Sequence, residues 1–251
     1  MEFSPKDSVL FRNAIDALVG FLPHAILRFS ADGLSVRGMD VSHVGFVDYF
    51  LAATDCTTYK VPVATSVGID TAIFARSLAS VGASDRVVVS MNKSGDSLIV
   101  SYTNEKIGKK VNYTIRTLEI DEDALDLPEL SYSGTVVLKT GDIAGVVKEV
   151  STFGETIGFK LDEDGFHITC SGDAGHVSQT LLNTDDRVME LTEDSVAANY
   201  GIKYVNNILR GGGALSSTAK LEFDATQPLR ASFEFGASRF VAYLAPKVMD
   251  E

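Results

Sequence analysis

The sequence predicts an α+β protein of two similar domains, each with two helices packed on antiparallel sheet. Its 251 residues suit one large domain or two domains of about 120 residues each. The second half repeats the order of helical and strand-like segments found in the first half, which favours two domains. In each half an Asp-Gly pair, Asp32-Gly33 or Asp164-Gly165, lies between two strand-like runs, a pattern typical of a β-hairpin.

Four segments carry apolar residues at the spacing of one helix face and predict helices over residues 8–19, 71–81, 142–152 and 197–210. Asp70 precedes the second segment and is a suitable N-cap. Three consecutive glycines, residues 211–213, are expected to end the fourth helix. The predicted buried faces consist of Leu10, Phe11, Ala14, Ile15 and Leu18; of Ile73, Phe74, Leu78 and Val81; of Ile143, Val146, Val147 and Val150; and of Ile202, Val205 and Leu209.

The predicted strands are short and numerous, and many of them alternate apolar with polar residues. Examples are residues 25–29, 44–51, 87–91, 111–118 and 231–235. Sheets with one face covered by two helices per domain would satisfy both the strand period and the helix period.

Residues 119–131 separate the two halves and contain six acidic residues and no lysine or arginine. Pro128 and the density of acids argue against a packed helix or a central strand. The segment is therefore either a solvated linker or a docking strap whose leucines stay available to a partner. The predicted domains are residues 1–118 and 132–251, with residues 119–131 as the connecting loop.

The net charge of −12 argues by itself against a nucleic-acid partner. The distribution of the charge reverses that argument. The four predicted helices hold five basic and three acidic residues, whereas the rest of the chain holds 17 basic and 31 acidic residues. An amphipathic helix needs a solvated polar face in any case, but all four helices carry cations there. The helix cations are Arg12, Arg76, Lys148, Lys203 and Arg210.

Other functional classes find little support in the sequence. There is no apolar run of about 18 residues, so we expect no membrane partner. The two cysteines, Cys56 and Cys170, cannot alone form a disulfide framework or a zinc site and are typical of a reducing compartment. The acidic triplets 121–123 and 162–164 lack further ligands at fixed spacing, and residues 211–213 are not followed by the Lys-Ser/Thr of a phosphate-binding loop. We therefore expect no catalytic residue, no metal site and no cofactor.

Three stretches in order along the chain carry a resemblance to a known family. They are GMDVSHVGFV near residue 40, ALDLPELSY near residue 128 and AYLAPKVMDE at the C-terminal end. The chain resembles the sliding clamps of eukaryotes, archaea and some large DNA viruses, the proliferating cell nuclear antigen type. The resemblance implies a DNA clamp fold that closes as a trimeric pseudo-sixfold ring around double-stranded DNA, without sequence specificity. It also implies that the five helix cations line the hole of the ring.

The resemblance implies two further surfaces. Polymerases, clamp loaders, nucleases and ligases would insert short peptides into a groove that is formed by Met39, His43, Val44, Phe46, Leu125, Leu127, Pro128, Pro228, Tyr243, Ala245, Pro246 and Lys247. Without the resemblance, core packing would explain Met39, Val44 and Phe46 equally well. The subunits of the ring would pair residues 111–117 with residues 176–182 of the next copy, placing Tyr113 and His176 at the joint.

One residue departs from the family pattern. Glu163 stands where many eukaryotic members carry a modifiable lysine, which puts control by ubiquitin at that position in doubt. The function implied is a processivity factor in DNA replication and repair, in the nucleus or in a viral replication compartment. Two alternatives share the architecture: a subunit of a heterotrimeric checkpoint-type clamp, and a viral processivity factor that acts as a monomer or dimer. A peptide-binding scaffold that does not encircle DNA would leave the helix cations unexplained.

Overall fold

The computed structural model describes residues 1–121, 130–173, 175–184 and 186–247. The chain divides into two compact units. The first unit comprises the described residues of 1–41, 47–125 and 234–240, and the second those of 42–46, 126–233 and 241–251. Among the described residues, no helix is long and apolar enough to cross a membrane.

Among the described residues, the first half of the chain contains two α-helices, a 3₁₀ helix (Ala53–Asp55) and nine strands. The α-helices and strands are β1 (Glu2–Pro5), α1 (Ser8–Val19), β2 (His24–Phe29), β3 (Gly33–Met39), β4 (Gly45–Ala52), β5 (Cys56–Lys60), β6 (Thr65–Asp70), α2 (Thr71–Leu78), β7 (Arg86–Met91), β8 (Ser97–Asn104) and β9 (Lys109–Arg116). In the first unit, five strands form an antiparallel sheet in the order β5-β1-β7-β8-β9. Strand β2 pairs with β3 and with β6, both antiparallel.

The second part repeats this arrangement, as the sequence predicted. Its elements are β10 (Gly134–Lys139), α3 (Thr140–Val150), β11 (Thr156–Asp162), β12 (Gly165–Gly172), β13 (Gly175–Leu181), β14 (Val188–Leu191), β15 (Val196–Gly201), α4 (Ile202–Gly213), β16 (Thr218–Phe223), β17 (Leu229–Phe235) and β18 (Ser238–Leu244). In the second unit, four strands form an antiparallel sheet in the order β13-β12-β11-β15. Strand β10 pairs with β14 and β16, and β16 pairs with β17.

Side-chain caps define the starts of the first two helices. The Asp7 carboxylate accepts the N–H groups of Val9 and Leu10, both at 2.9 Å, and Asp70 accepts that of Ile73 at 2.8 Å. Both helices therefore begin at the predicted residue. The prediction that Ile73 is buried is wrong, because its side chain remains 43% exposed while Phe74 and Leu78 carry the packing of α2.

The fourth helix lies further along the chain than predicted. Residues 197–201 belong to β15, which pairs with β11, and α4 begins at Ile202. The glycines at 211–213 do not end the helix. They form its last turn, and Ala214 follows as the C-cap with αR backbone angles.

Aromatic side chains form the centre of each core. In the first unit, the ring of Phe11 lies 5.6 Å from Phe3 and 6.1 Å from Phe74, which ties β1, α1 and α2 together. In the second unit, the ring of Phe159 lies 5.2 Å from Phe166 and 5.6 Å from Tyr200. The helix pairs α1–α2 and α3–α4 each pack together within their own unit.

Candidate functional site

Four of the five predicted DNA-contacting cations are exposed on the helices. They are Arg76, Lys148, Lys203 and Arg210. Within the described part of the chain none of the four forms an ion pair, and Arg76 donates from Nε to the Ala72 carbonyl at 3.3 Å. Their charges therefore face solvent without a neutralising carboxylate, an arrangement suited to a polyanion.

The fifth cation, Arg12, has a different environment. Its Nη1 donates to the Val81 carbonyl at 2.6 Å, and its Nη2 donates to Asn13 Oδ1 at 2.9 Å. The side chain is half-buried, and it fastens α1 to the segment that follows α2. Sequence periodicity placed Arg12 away from the apolar stripe but could not predict this long-range hydrogen bond.

The two acids of α3 are held by partners from strands or loops. Asp142 Oδ2 lies 3.4 Å from Arg187 Nη2, and Glu149 Oε2 accepts a hydrogen bond from Gln179 Nε2 at 2.6 Å. These contacts engage both carboxylates, while Lys148 between them extends to solvent.

The predicted groove is partly assembled within the second unit. The rings of Phe46 and Tyr243 lie 5.8 Å apart, and the Ala245 N–H donates to the Val44 carbonyl at 2.9 Å. Lys247 fixes the tail, because its N–H donates to the Asn199 carbonyl at 2.7 Å and its Nζ donates to Thr156 Oγ1 at 2.9 Å. Phe46 is buried, so it supports this surface from below, while Tyr243 and Ala245 are half-buried.

The remaining predicted groove residues differ in their surroundings. His43 is exposed and has a φ of 57°, so it adopts the left-handed conformation that non-glycine residues rarely take. Met39, in the first unit, is 37% exposed, while Pro228 and Pro246 are half-buried. The predicted residues Leu125, Leu127 and Pro128 lie outside the described residues.

Tyr132 is a neighbour of the groove that sequence reasoning missed. Its hydroxyl is buried without a hydrogen-bond partner in the described chain. Burial is the main cause that raises the pKa of Tyr132, and the nearby Tyr243 hydroxyl raises it further. The one sequence signal was an aromatic residue directly after the leucine-containing segment 119–131.

Both predicted joint segments are edge strands. Strand β9 ends the five-stranded sheet, and β13 ends the four-stranded sheet. Tyr113 on β9 is 39% exposed and stacks on Tyr102 with ring centroids 6.4 Å apart. His176 on β13 is exposed, and its Nδ1 lies 2.8 Å from Ser171 Oγ. Both edges therefore present unpaired backbone groups that another strand could use.

Asp162, the first residue of the acidic triplet at 162–164, has a structural role. Asp162 lies 2.6 Å from Lys160 Nζ and 2.7 Å from His167 Nε2, and these two donors hold the pKa of its carboxyl far below its usual range. In the described ranges, no group of three or more His, Cys, Asp and Glu side chains could hold a metal ion.

Comparisons with known proteins agree along the whole chain. Residues 1–125 match the family Proliferating cell nuclear antigen, N-terminal domain, and residues 126–248 match its C-terminal domain. The proliferating cell nuclear antigen of Caenorhabditis elegans is 27% identical over 252 residues, which cover 96% of this chain and 95% of that protein. The protein of that name from Chaetomium thermophilum is 22% identical over 259 residues, covering 100% and 99%.

The fold agrees with that of a solved structure. The crystal structure of proliferating cellular nuclear antigen from Entamoeba histolytica superposes with a TM-score of 0.91 at 20% identity, covering 98% of both chains. Both domain types are thus present in order, with four helices and antiparallel sheets, as in that structure. The chain belongs to the proliferating cell nuclear antigen family of sliding clamps.

Proposed function

We propose that three copies of this chain close into a ring that encircles double-stranded DNA without sequence specificity. The ring tethers DNA polymerase and other replication and repair proteins and so acts as a processivity factor. It works in the nucleus, or in a viral replication compartment, and needs no active site. The observation that carries the proposal is the set of exposed helix cations, without ion pairs in the described chain, on a clamp-family protein of net charge −12.

The helix cations support the DNA contact by their number and environment. Cations within about 8 Å of a phosphate are attracted to it even across water at physiological ionic strength. Contacts to phosphates alone carry no sequence information and allow sliding. A closed ring would be retained on DNA by topology, so a few such contacts suffice.

The two edge strands support self-association. Each unit contributes one unpaired edge, β9 or β13, and pairing β9 of one copy with β13 of the next would satisfy the backbone groups of both. Tyr113 and His176 would lie at this joint.

The groove supports the tethering role. Tyr243 and Ala245, with buried Phe46 beneath, provide an apolar surface next to the polar Lys247 and His43, a composition suited to a peptide anchor. We propose that residues 119–131 connect domains 1–118 and 132–251 and that Leu125, Leu127 and Pro128 complete the groove. A bound polymerase would be held near the primer end at a high effective concentration.

The first test is the solution mass by light scattering after size exclusion, across protein and salt concentration. The ring requires a mass of three 26.9 kDa chains. A stable monomer mass would contradict the homotrimer and favour the two alternatives, a heterotrimeric checkpoint-type clamp or a viral factor acting alone. A stable dimer would favour the viral factor.

The second test separates DNA contact from assembly. Arg76→Glu with Arg210→Glu should weaken loading on circular DNA and polymerase stimulation while leaving the mass unchanged. The matched control is Arg86→Glu with Lys93→Glu, which reverses two exposed cations that lie on β7 and just after it rather than on a helix. Equal polymerase stimulation by the wild type and the helix variant would refute the role of the helices.

The third test addresses the groove. Leu125→Ala with Leu127→Ala should abolish binding of a partner peptide from a polymerase or nuclease, measured by calorimetry. Peptide affinity equal to that of the wild type would remove these leucines from the proposed groove.

A further inference from the structure

A cluster of two arginines around one buried carboxylate lies on strands of the first unit. Asp48 Oδ2 is 3.1 Å from Arg37 Nη2 and 3.8 Å from Arg239 Nη2. The guanidinium carbon of Arg239 lies 5.2 Å from the centroid of the Phe50 ring. We call Arg37, Asp48, Phe50 and Arg239 the arginine cluster.

Strand alternation produces this arrangement. On β4, Val47, Tyr49 and Leu51 point into the core, so Asp48 and Phe50 share the opposite face. The Asp48 side chain is 9% exposed, whereas those of Arg37 and Arg239 are 49% and 44% exposed. The negative charge is thus buried beneath two positive charges that reach solvent.

The charges of the cluster do not cancel. One carboxylate faces two guanidinium groups, which leaves one positive charge in excess. In the described chain, both arginines lie beside Asp48 and Arg239 also stacks on Phe50, whereas each guanidinium has five N–H donors. Stacking on Phe50 covers a face of the Arg239 guanidinium and leaves its N–H edge available for a planar, two-oxygen acceptor.

We propose that the arginine cluster binds the carboxylates of an acidic peptide segment of a partner protein. Arginine recognises carboxylates through paired N–H donors, and the half-exposed geometry leaves room for them. The chain as a whole carries a net charge of −12, which disfavours an acidic partner, so this local excess of positive charge provides a complementary contact. All four residues belong to one unit of one chain, so the proposal requires neither a ring nor DNA and is independent of the function proposed above.

The test is fluorescence anisotropy of labelled hexaglutamate, with labelled hexaglutamine as the neutral probe, at low and at physiological ionic strength. The wild type should bind hexaglutamate and not hexaglutamine. Arg37→Gln with Arg239→Gln should weaken hexaglutamate binding about tenfold, since each lost arginine–carboxylate contact is worth a few-fold in affinity. The control Arg86→Gln with Lys93→Gln removes the same charge from exposed sites and should leave binding within about twofold.

Two further variants guard against a folding defect, because removing both arginines leaves the Asp48 charge buried without compensation. The first is a triple variant that removes all three charges, with Arg37→Gln, Asp48→Asn and Arg239→Gln. It should lose as much hexaglutamate affinity as the double glutamine variant. Arg37→Lys with Arg239→Lys keeps the charge but not the planar donors and should bind about threefold more weakly than the wild type. Three outcomes would each overturn the proposal. The cluster and control variants could lose equal affinity, the wild type could fail to bind hexaglutamate, or it could bind inorganic phosphate but not hexaglutamate.

Discussion

Gly212 in α4 offers a sharp test of how the second unit is packed. A Cβ added at this position would lie 2.3 Å from two ring atoms of Phe233 and 2.4 Å from a third. Phe233 is fully buried, so its ring cannot swing into solvent to make room. The substitution Gly212→Ala should therefore force either the helix or the ring to move.

The size of the effect follows from two opposed terms. Carbon atoms in contact normally lie about 3.5–4.0 Å apart, so the ring has to retreat by more than about 1 Å. Overpacking of this kind costs about 1–3 kcal/mol, and three close ring atoms place this site near the upper end. Replacing a helical glycine by alanine recovers about 1 kcal/mol of helix propensity. We expect a net loss of about 2 kcal/mol in the free energy of unfolding.

The assay is urea unfolding followed by circular dichroism at one fixed protein concentration, because self-association would shift the midpoint. Gly145→Ala is the matched control, since it is also a helical glycine and nothing lies within 4 Å of its added Cβ. This control should raise the unfolding free energy by about 0.5–1 kcal/mol. The same substitution should thus have opposite signs in α3 and α4.

A Gly212→Ala protein as stable as the wild type would refute the packing argument. A second variant isolates its cause. Adding Phe233→Leu to Gly212→Ala should cost less than the sum of the two single changes, because the smaller side chain relieves the overlap. Strictly additive losses would show that the ring is not the obstacle.

Three further outcomes are expected. Asp7→Ala should lower the free energy of unfolding by about 1 kcal/mol, measured by urea unfolding, because it removes the α1 cap. An unchanged midpoint would show that Asp7 does not stabilise α1. Gly68→Ala would bring a Cβ within 2.3 Å of the Leu118 carbonyl, and limited proteolysis after residue 118 should become faster; an unchanged rate would contradict this contact. Asp162 has a lowered pKa in the folded chain, so its contribution is present above about pH 4 and is lost as the pH falls. Asp162→Asn should therefore reduce the loss of unfolding free energy as the pH falls below about 4. The same pH dependence in this variant and the wild type would contradict the role of Asp162.

The sequence predicted the fold where local signals were strong. Asp70 is the predicted cap, and the predicted starts of α1 and α2 are both confirmed, although the Asp7 cap of α1 was not predicted. The start of α4 was wrong because residues 197–201 contain two alanines and no strong strand former apart from Tyr200, so the pairing with β11 decides their conformation. The glycines at 211–213 were misinterpreted because the close approach of Phe233 is a tertiary contact between residues 21 positions apart.

The candidate site shows the same limit. Exposure of Arg76, Lys148, Lys203 and Arg210 followed from helix periodicity alone. The arginine cluster did not, because it joins side chains from three separate strands, and neither Arg37 nor Arg239 stands in a motif. The DNA role of the helix cations and the peptide role of the arginine cluster are proposals, while the family itself is shown by the domain matches.

The hydrogen bond from Arg12 to Val81 has a consequence for charge-scanning mutagenesis. The guanidinium acts as a tertiary cap for the Val81 carbonyl just beyond α2, where a cation also complements the helix dipole. Replacing Arg12 by glutamate would put a carboxylate against that carbonyl and loosen the two helices from each other. A defect in such a variant would report on the integrity of the helix pair rather than on contact with DNA. The five cations are therefore not interchangeable probes, and Arg12 is the one whose phenotype needs a stability measurement beside it.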